Sequence, residues 1–517
     1  MAHRLTRRFL TRFALLALPF TSSFAGAQDP PATQASEPRP NIIWLYADDH
    51  ALQALSAYGG RLANLAPTPN IDRLAQLGTR FDHSYVANSL CAPARATVLT
   101  GQHSHKNGVF TNRQDLSGTL DYSQITTFPQ ILRDAGYHTI LIGKWHLQTQ
   151  PQGFDVWQIF PGHGDYEDPE FRVGTTSGEQ RVKDTGKHST KAIMDRALDA
   201  LQSAGTQEKP FLLMCHFKSP HRSWLPPADL IERYGKTPFP EPETLHDDYS
   251  TRTTAAHEQE MTIRDHLNLK YDLKFHRRES FYQDRRDDFK TQNLQGQALT
   301  KWKYQAFLED YLATVKGIDQ QVGRLLDYLE QHDLLENTLI GYSSDQGFFL
   351  GEHGWFDKRF MYQESFRTPL IVAWPGVGEP GSVNKNLVQN IDMASTFLDA
   401  ASLEIPDAMQ GTSLLPLIKG QTPENWRQSL YYHYYDFPAV HSVRKHEGVF
   451  DGRYKLIRFY GQGVSGGEEW EFYDLENDPH ELQSAINHSD SKNHVERLRQ
   501  ELQRLRQYYD LPRKDPS

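Results

Sequence analysis

The stretch Asn88–Gly101 reads N-S-L-C-A-P-A-R-A-T-V-L-T-G, and the rest of the chain is organised around it. Cys91 is one of only two cysteines in 517 residues. It precedes Pro93, Arg95 and the short apolar run Ala96–Leu99, which closes on Gly101. Pro93 suits the first turn of a helix, because it lacks a backbone N–H that would go unpaired there. The segment therefore reads as a strand or loop entering a helix, with Cys91 beside the helix N-terminus. Unpaired N–H groups and the positive end of the helix dipole make such a position an anion seat. Arg95, one turn on, carries a planar fork of donors that reaches back over the same spot. Taken alone, Cys91 fits equally well as a small buried core residue.

On either side of this stretch, apolar strands alternate with helices. Asn41–Ala47 is a strand ending on Asp48-Asp49-His50, and Pro69–Gly78 is a helix with Ile71, Leu74 and Leu77 on one face and Gly78 as its stop. Thr127–Gly136 is a second helix, starting near Pro129, and the strand Thr139–Gly143 runs directly into Lys144-Trp145-His146. A helix over roughly His188–Ala204 precedes the strand Phe211–Phe217, and a long helix from about Trp302 to Gln331 precedes the strand Thr338–Ser344. Continuous apolar strands separated by helices predict an α/β fold, a large and mostly parallel sheet sandwiched by helices. The polar clusters Asp48-Asp49, Lys144-Trp145-His146, Pro220-His221 and Asp345-Gln346 all fall at or just beyond the C-terminal ends of such strands. In open α/β sheets that edge binds ligands.

From about Trp426 the pattern changes to short alternating strands near Leu430–Tyr435, Val440–Val443, Tyr454–Tyr460 and Trp470–Tyr473. A last helix follows, with Val495, Leu498, Leu502 and Leu505 on one face. Residues 426–517 thus read as a small antiparallel sheet plus a helix, a C-terminal subdomain to a main domain of residues 40–425. The charge-dense segment 234–300 reads as a solvated loop-and-helix insertion in that main domain, or as one wall of a cleft.

A net charge of -10 argues against a nucleic-acid binder, which would show a basic stripe. Arg4, Arg7, Arg8 and Arg12, the apolar run Phe13–Phe20 and Ala25-Gly26-Ala27 form a signal-peptide pattern over residues 1–27. Arg7-Arg8 fits a twin-arginine signal as an alternative. Residues 28–39, rich in Pro, Gln, Ala and Glu, read as a disordered leader. The expectation is export, to the periplasm or the medium, with no transmembrane segment. Cys215 lies in the apolar strand F-L-L-M-C-H-F and reads as an inert core thiol, so no disulfide is expected.

Three carboxylates, Asp48, Asp49 and Asp345, are expected to meet at neighbouring strand ends. Crowded carboxylates need a cation, or one of them must stay protonated. Oxygen-only ligation favours Ca²⁺ or Mg²⁺ over zinc, and an amide oxygen from Gln346 fits that preference.

C-A-P-A-R followed by A-T-V-L-T-G resembles the signature of the type I, formylglycine-dependent sulfatases, in which a maturation enzyme oxidises the cysteine to formylglycine. Its companions recur in the family's order: G-K-W-H (Lys144, His146), S-P-H-R (His221) and G-E-H-G-W-F-D-K-R (Lys358). The resemblance runs from Pro40 to the C-terminus and implies the alkaline-phosphatase-like sulfatase fold. It also implies a divalent cation, usually calcium, held by Asp48, Asp49, Asp345, Gln346 and an oxygen of modified Cys91. Gln346 departs from the pattern, since relatives more often carry Asn or His there. The implied catalytic set is Cys91, Arg95, Lys144, His146, His221 and Lys358. Modified Cys91 would attack sulfur, Arg95 and the two lysines would hold the sulfonate oxygens, His221 would protonate the leaving oxygen, and His146 would deprotonate the sulfated intermediate.

The segments S-D-Q-G-F-F-L-G-E-H-G-W-F-D-K-R-F-M-Y-Q-E-S-F-R-T-P and Y-Y-H-Y-Y-D-F-P-A-V-H-S-V-R-K-H resemble bacterial N-acetylglucosamine-6-sulfatases, including mucin-desulfating enzymes. The implied substrate is a sulfated carbohydrate, with Arg359, His433, His441 and Arg444 as candidates for touching the sugar. Each fits equally well a purely structural role. Two other readings stay open at this point: a phosphate or phosphonate ester hydrolase of the same fold, and a glycan-binding relative without catalysis. The retained Cys91, Arg95, Lys144, His146, His221 and Lys358 count against the last, because binding alone does not require them.

Overall fold

The computed structural model describes residues 39–175, 178–203, 209–235 and 237–513. The expected signal peptide and nearly all of the expected leader lie outside the described residues. Ten strands form the central sheet: β1 (Asn41–Ala47), β2 (Thr79–Phe81), β3 (His138–Gly143), β4 (Val156–Ile159), β5 (Glu170–Thr175), β6 (Gly178–Lys183), β7 (Phe211–His216), β8 (Thr338–Ser344), β9 (Leu370–Ala373) and β10 (Ser382–Asn384). Their order is β10-β2-β9-β8-β1-β7-β3-β4-β5-β6. The middle of the sheet, β8-β1-β7-β3-β4, is parallel throughout. Antiparallel pairing enters only through β9 and through β5 and β6. The sheet is large, mixed and mostly parallel, as its apolar strands predict.

β1 shows why. Ile42, Trp44 and Tyr46 bury against the helices α2 (Cys91–Thr100), α3 (Phe128–Asp134) and α6 (Asp392–Ala400) on one face, while Ile43, Leu45 and Ala47 bury against α1 (Pro69–Leu77), α4 (Ser189–Ser203) and α5 (Gly296–Gln331) on the other. A strand with both faces covered has no polar side to present, so its sequence does not alternate. Truncating Leu45, which is wholly buried, to alanine would cost roughly 2–5 kcal/mol.

The C-terminal sheet runs β11 (Leu430–Tyr434), β12 (His446–Phe450), β13 (Tyr454–Tyr460), β14 (Glu468–Asp474), all antiparallel. Tyr431, Val449, Leu456 and Phe472 face Val495, Leu498, Leu502 and Leu505 of α7 (Lys492–Tyr508). The opposite face, with Tyr432, Tyr434 and Phe459, packs on Trp355, Phe360 and Tyr362, the segment that carries Lys358. One expected strand is absent: Val440–Val443 forms a turn, and the second strand is His446–Phe450. Ala439 and Ser442 take left-handed backbone there, and His441 is tied to the carbonyl of Glu260, so the segment cannot extend.

The 234–300 segment is less solvated than its charge suggests. It forms helices at Thr254–Glu258, Ile263–His266 and Ser280–Gln292 and the first turn of α5. Its apolar residues Leu245, Ile263, Leu267 and Leu273 share a core with Trp224, Tyr304 and Phe307. The spacing of those few residues is too irregular for periodicity to reveal. No helix among the described residues is long and apolar enough to cross a membrane.

Candidate active site

α2 begins at Cys91 and buries all ten of its residues. Pro93 occupies its first turn, as expected, and the Ala92 N–H is met by Asn112 Oδ1 at 2.9 Å. Gly101 ends the helix in left-handed backbone (φ 64°), where a Cβ would press on Met409 and Ala394 at 3.1–3.3 Å. Gly143 is the second obligatory glycine. At φ 105° its missing Cβ leaves room for the carbonyl of His216, and the chain turns out of β3 to deliver Lys144.

The expected residues converge around Cys91, at the C-terminal ends of β1, β3, β7 and β8. Cys91 Sγ lies 3.6 Å from Asp48 Oδ1, 3.5 Å from Lys358 Nζ and 3.8 Å from Gln346 Nε2. Lys144 forms an ion pair with Asp48. Arg95 Nη2 bonds Asp345 Oδ2 at 2.9 Å and lies 3.7 Å from Asp48, so its fork faces the carboxylates. Asp49 takes left-handed backbone (φ 67°), and its N–H donates to Asp345 Oδ1 at 3.0 Å. His221 Nε2 stands 3.8 Å from Asp49 Oδ2, and His221 Nδ1 contacts the carbonyl of Arg222 at 2.6 Å. His146 lies beside His163, ring centroids 4.2 Å apart, and His163 is 4.8 Å from His221 in turn.

Burial sets the proton affinities. It pushes the Cys91 thiol up to about 12, against the pull of Lys144 and Lys358. As a thiol, Cys91 is therefore protonated at neutral pH and a poor nucleophile. Burial also opposes ionisation of the three carboxylates. Lys144, then His221 and Arg95, nevertheless hold Asp48 well below the usual range. Asp49 is raised by burial and by Asp48 despite Lys358, and Asp345 rises to about 7 through burial and Asp48. Burial is the largest influence on each of the three, and repulsion from Asp48 adds to it for Asp49 and Asp345. Burial, with Lys144 adding, holds His146 well below its ordinary value, and burial does the same to His221.

A divalent cation fits this donor set. One oxygen from each of Asp48, Asp49 and Asp345 lies within 4.8 Å of the others, all three residues are buried, and Gln346 Oε1 is buried with no hydrogen-bond partner among the described residues. Hard oxygen donors at this density suit Ca²⁺ or Mg²⁺.

Of the four expected sugar residues, two lie by the site. Arg359 pairs with Asp357, and His441 Nε2 contacts Asp357 Oδ2 at 3.1 Å, beside Lys358. His433 is buried on the far face of β11, between the hydroxyls of Tyr431 (2.7 Å) and Tyr460 (2.5 Å) and stacked on Tyr435 at 3.7 Å. Arg444 covers the Phe437 ring at 4.4 Å and bonds Glu258 and the Gln462 carbonyl. Period-2 alternation turns His433 away from Tyr432 and Tyr434, and Arg444 lies outside the strands. Sequence reading missed His163, His216 and Asp357. His216 Nδ1 contacts the Lys144 carbonyl at 3.0 Å and lies 3.4 Å from Arg95. Each had a visible signal: His163 between two glycines in P-G-H-G, His216 at a strand end, and Asp357 directly before Lys358.

Residues 40–403 match the family described as sulfatase, and residues 351–508 match N-sulphoglucosamine sulphohydrolase, C-terminal. The chain belongs to the sulfatase family. It is a sulfuric ester hydrolase with the alkaline-phosphatase-like fold of the sulfatases. Among similar sulfatases, the N-acetylglucosamine-6-O-sulfatase of Bacteroides thetaiotaomicron is 42% identical over 96% of this chain and 91% of its own length. A solved structure of a protein in complex with its substrate, D-glucosamine-2-N,6-O-disulfate, shares 42% identity and a TM-score of 0.85, covering 91% of this chain and 98% of that one. The phosphonate monoester hydrolase of Silicibacter pomeroyi superposes with a TM-score of 0.71 at 21% identity, over 91% of this chain and 95% of that one. That likeness is one of fold alone.

Proposed function

We propose that this sulfatase is exported and removes 6-O-sulfate from N-acetylglucosamine or glucosamine units of glycans, using a formylglycine made from Cys91. The observation that carries the reading is the 42% identity, over nearly the whole chain, to an N-acetylglucosamine-6-O-sulfatase. The Asp357–Arg359–His441 group beside Lys358 supports it, since it sets a carboxylate, a guanidinium and an imidazole where sugar hydroxyls would lie. Export rests on the pattern of residues 1–27.

Asp48, Asp49, Asp345 and Gln346 would hold Ca²⁺, which when bound polarises the sulfate and offsets its charge. Formylglycine, once hydrated, offers two hydroxyls on one carbon, so that the group taking the sulfuryl can also expel it. A buried thiol pushed up to about 12 offers neither. Lys144 and Lys358, on either side of Cys91, are placed to bind the sulfonate oxygens and to stabilise charge as it builds. Arg95 fixes Asp345 and Asp48 in place. His221 supplies the proton to the departing sugar oxygen, drawing it in as the anionic ester enters. His146, whose Nδ1 has no partner among the described residues, accepts a proton during sulfate release. Because Cys91 is wholly buried, a maturation enzyme must act on it before α2 packs.

Sulfated monosaccharides of defined position, offered to protein whose Cys91 modification is confirmed by mass, test this reading. Turnover of 6-sulfated glucosamines above 2-, 3- or 4-sulfated sugars is expected. Preference for an aryl phosphonate over every sulfate would overturn it.

A further inference from the structure

A cleft of about 350 Å³ is lined by Gly164 and Arg222, the chain neighbours of His163 and His221, and by Lys218. Most of its cations are already matched. Arg222 is held by both oxygens of Asp272 (2.7 and 2.6 Å), Lys274 pairs with Asp310 at 2.9 Å, and Arg277 pairs with Glu167 at 2.7 Å. Lys218 is different. It is 6% exposed, and its ammonium has the His163 carbonyl at 3.3 Å and the face of Tyr166 at 4.9 Å. Among the described residues no carboxylate forms an ion pair with it. Asp48, then Asp165 at the mouth and Asp49, add favourable fields without forming an ion pair.

A buried ammonium without a counter-ion is costly and is kept where a ligand supplies the charge. Burial, with Lys144 nearby, pushes Lys218 down to about 8, a cost an arriving anion would remove.

We propose that the Lys218 cleft is a subsite for a second acidic group of the glycan, a sulfate or carboxylate other than the ester being cleaved. The inference rests on the glycan reading above. The acidic group has two possible sources, an N-sulfate on the same ring or the uronate carboxylate of a neighbouring saccharide.

The test measures kcat and KM of wild type, Lys218→Met and Lys218→Arg. The substrates are N-acetylglucosamine-6-sulfate, glucosamine-2-N,6-O-disulfate and a uronate-containing disaccharide with one 6-sulfate. Loss of a charge-assisted hydrogen bond should lower kcat/KM about tenfold in Lys218→Met, through KM, on the substrate with the second anion. The singly charged sugar should stay within about twofold, and Lys218→Arg should retain most of the preference. Which doubly charged substrate is affected identifies the source. Equal loss on all three substrates, or no loss on any, overturns the subsite. The two readings fail differently: if wild type cleaves only aryl sulfates, the glycan reading fails. Inhibition of that aryl sulfate turnover by glucosamine N-sulfate, weakened in Lys218→Met, would then still uphold the subsite, and equal inhibition of both proteins would overturn it.

Discussion

The ammonium of Lys358 lies 2.5 and 2.6 Å from the two carboxylate oxygens of Asp49. It also lies 3.5 Å from Cys91 Sγ, so one side chain bridges the expected cation ligands and the expected nucleophile. Asp49 is the stronger partner: it drives Lys358 upward against burial. A cation taking over the charge of Asp49 would leave Lys358 available to an anionic ester.

Metal removal should therefore abolish turnover without unfolding the protein. Exhaustive chelation is expected to lower kcat by at least about a hundredfold, with Ca²⁺ restoring it, while circular dichroism stays unchanged. Asp345→Asn should raise the Ca²⁺ concentration needed for recovery. Unaltered activity in protein shown by elemental analysis to be metal-free would refute the assignment of these carboxylates.

Cys91→Ala should fold normally, since alanine fills a buried helical position with little loss, yet lose activity by at least about a thousandfold. Intact-peptide mass spectrometry of active protein should show the aldehyde or its hydrate. Folded thiol protein, mixed with the maturation enzyme, should stay unmodified until denatured, because Cys91 is 0% exposed. Full activity from protein carrying only the thiol would sink the mechanism.

The site was legible where chemistry and strand ends coincide. D-D after N-I-I-W-L-Y-A and G-K-W-H after T-I-L-I located four polar residues, Asp48, Asp49, Lys144 and His146, on one edge, because a parallel strand delivers whatever follows it to that edge. The position of Arg95 was not legible in full: its contact with Asp345 spans 250 residues of sequence. His433 sits in an aromatic run whose facing depends on the register of β11 against β12, which sequence alone leaves open, and Arg444 lies in the irregular stretch between those strands. The turn at 439–442 escaped for a related reason, since alternation looks alike in a strand and in an irregular segment pinned by Glu260.

Glu364 gives a stability prediction away from the chemistry. Burial, reinforced by Glu352 and Glu481, raises its carboxyl from 4.5 to about 8, and its Oε2 has no hydrogen-bond partner among the described residues. The folded state thus binds this proton more tightly than the unfolded chain. Its contribution is full below about pH 4.5 and is lost as pH rises through about 8. Glu364→Gln should flatten this slope and gain on the order of 1 kcal/mol or more at pH 8.5, read from urea unfolding at several pH values. A slope identical to wild type would place the proton elsewhere.

His221 as the acid is tested through the leaving group. Its Nε2 stands 3.8 Å from Asp49 Oδ2, among the residues gathered around Cys91. An alkoxide leaves poorly without a proton, whereas an acidic phenol needs almost none. General acid catalysis is worth about 10²–10⁴-fold, so His221→Ala should lose that much on a sugar sulfate and far less on a nitrophenyl sulfate. His146→Ala should slow both substrates alike, because sulfate release follows the departure of either alcohol. A burst of phenol followed by a stall would mark the trapped sulfated enzyme in that variant. Equal loss on both substrates for His221→Ala would instead put this imidazole in sulfate binding or in support of Asp49, and the departing sugar oxygen would need another proton source.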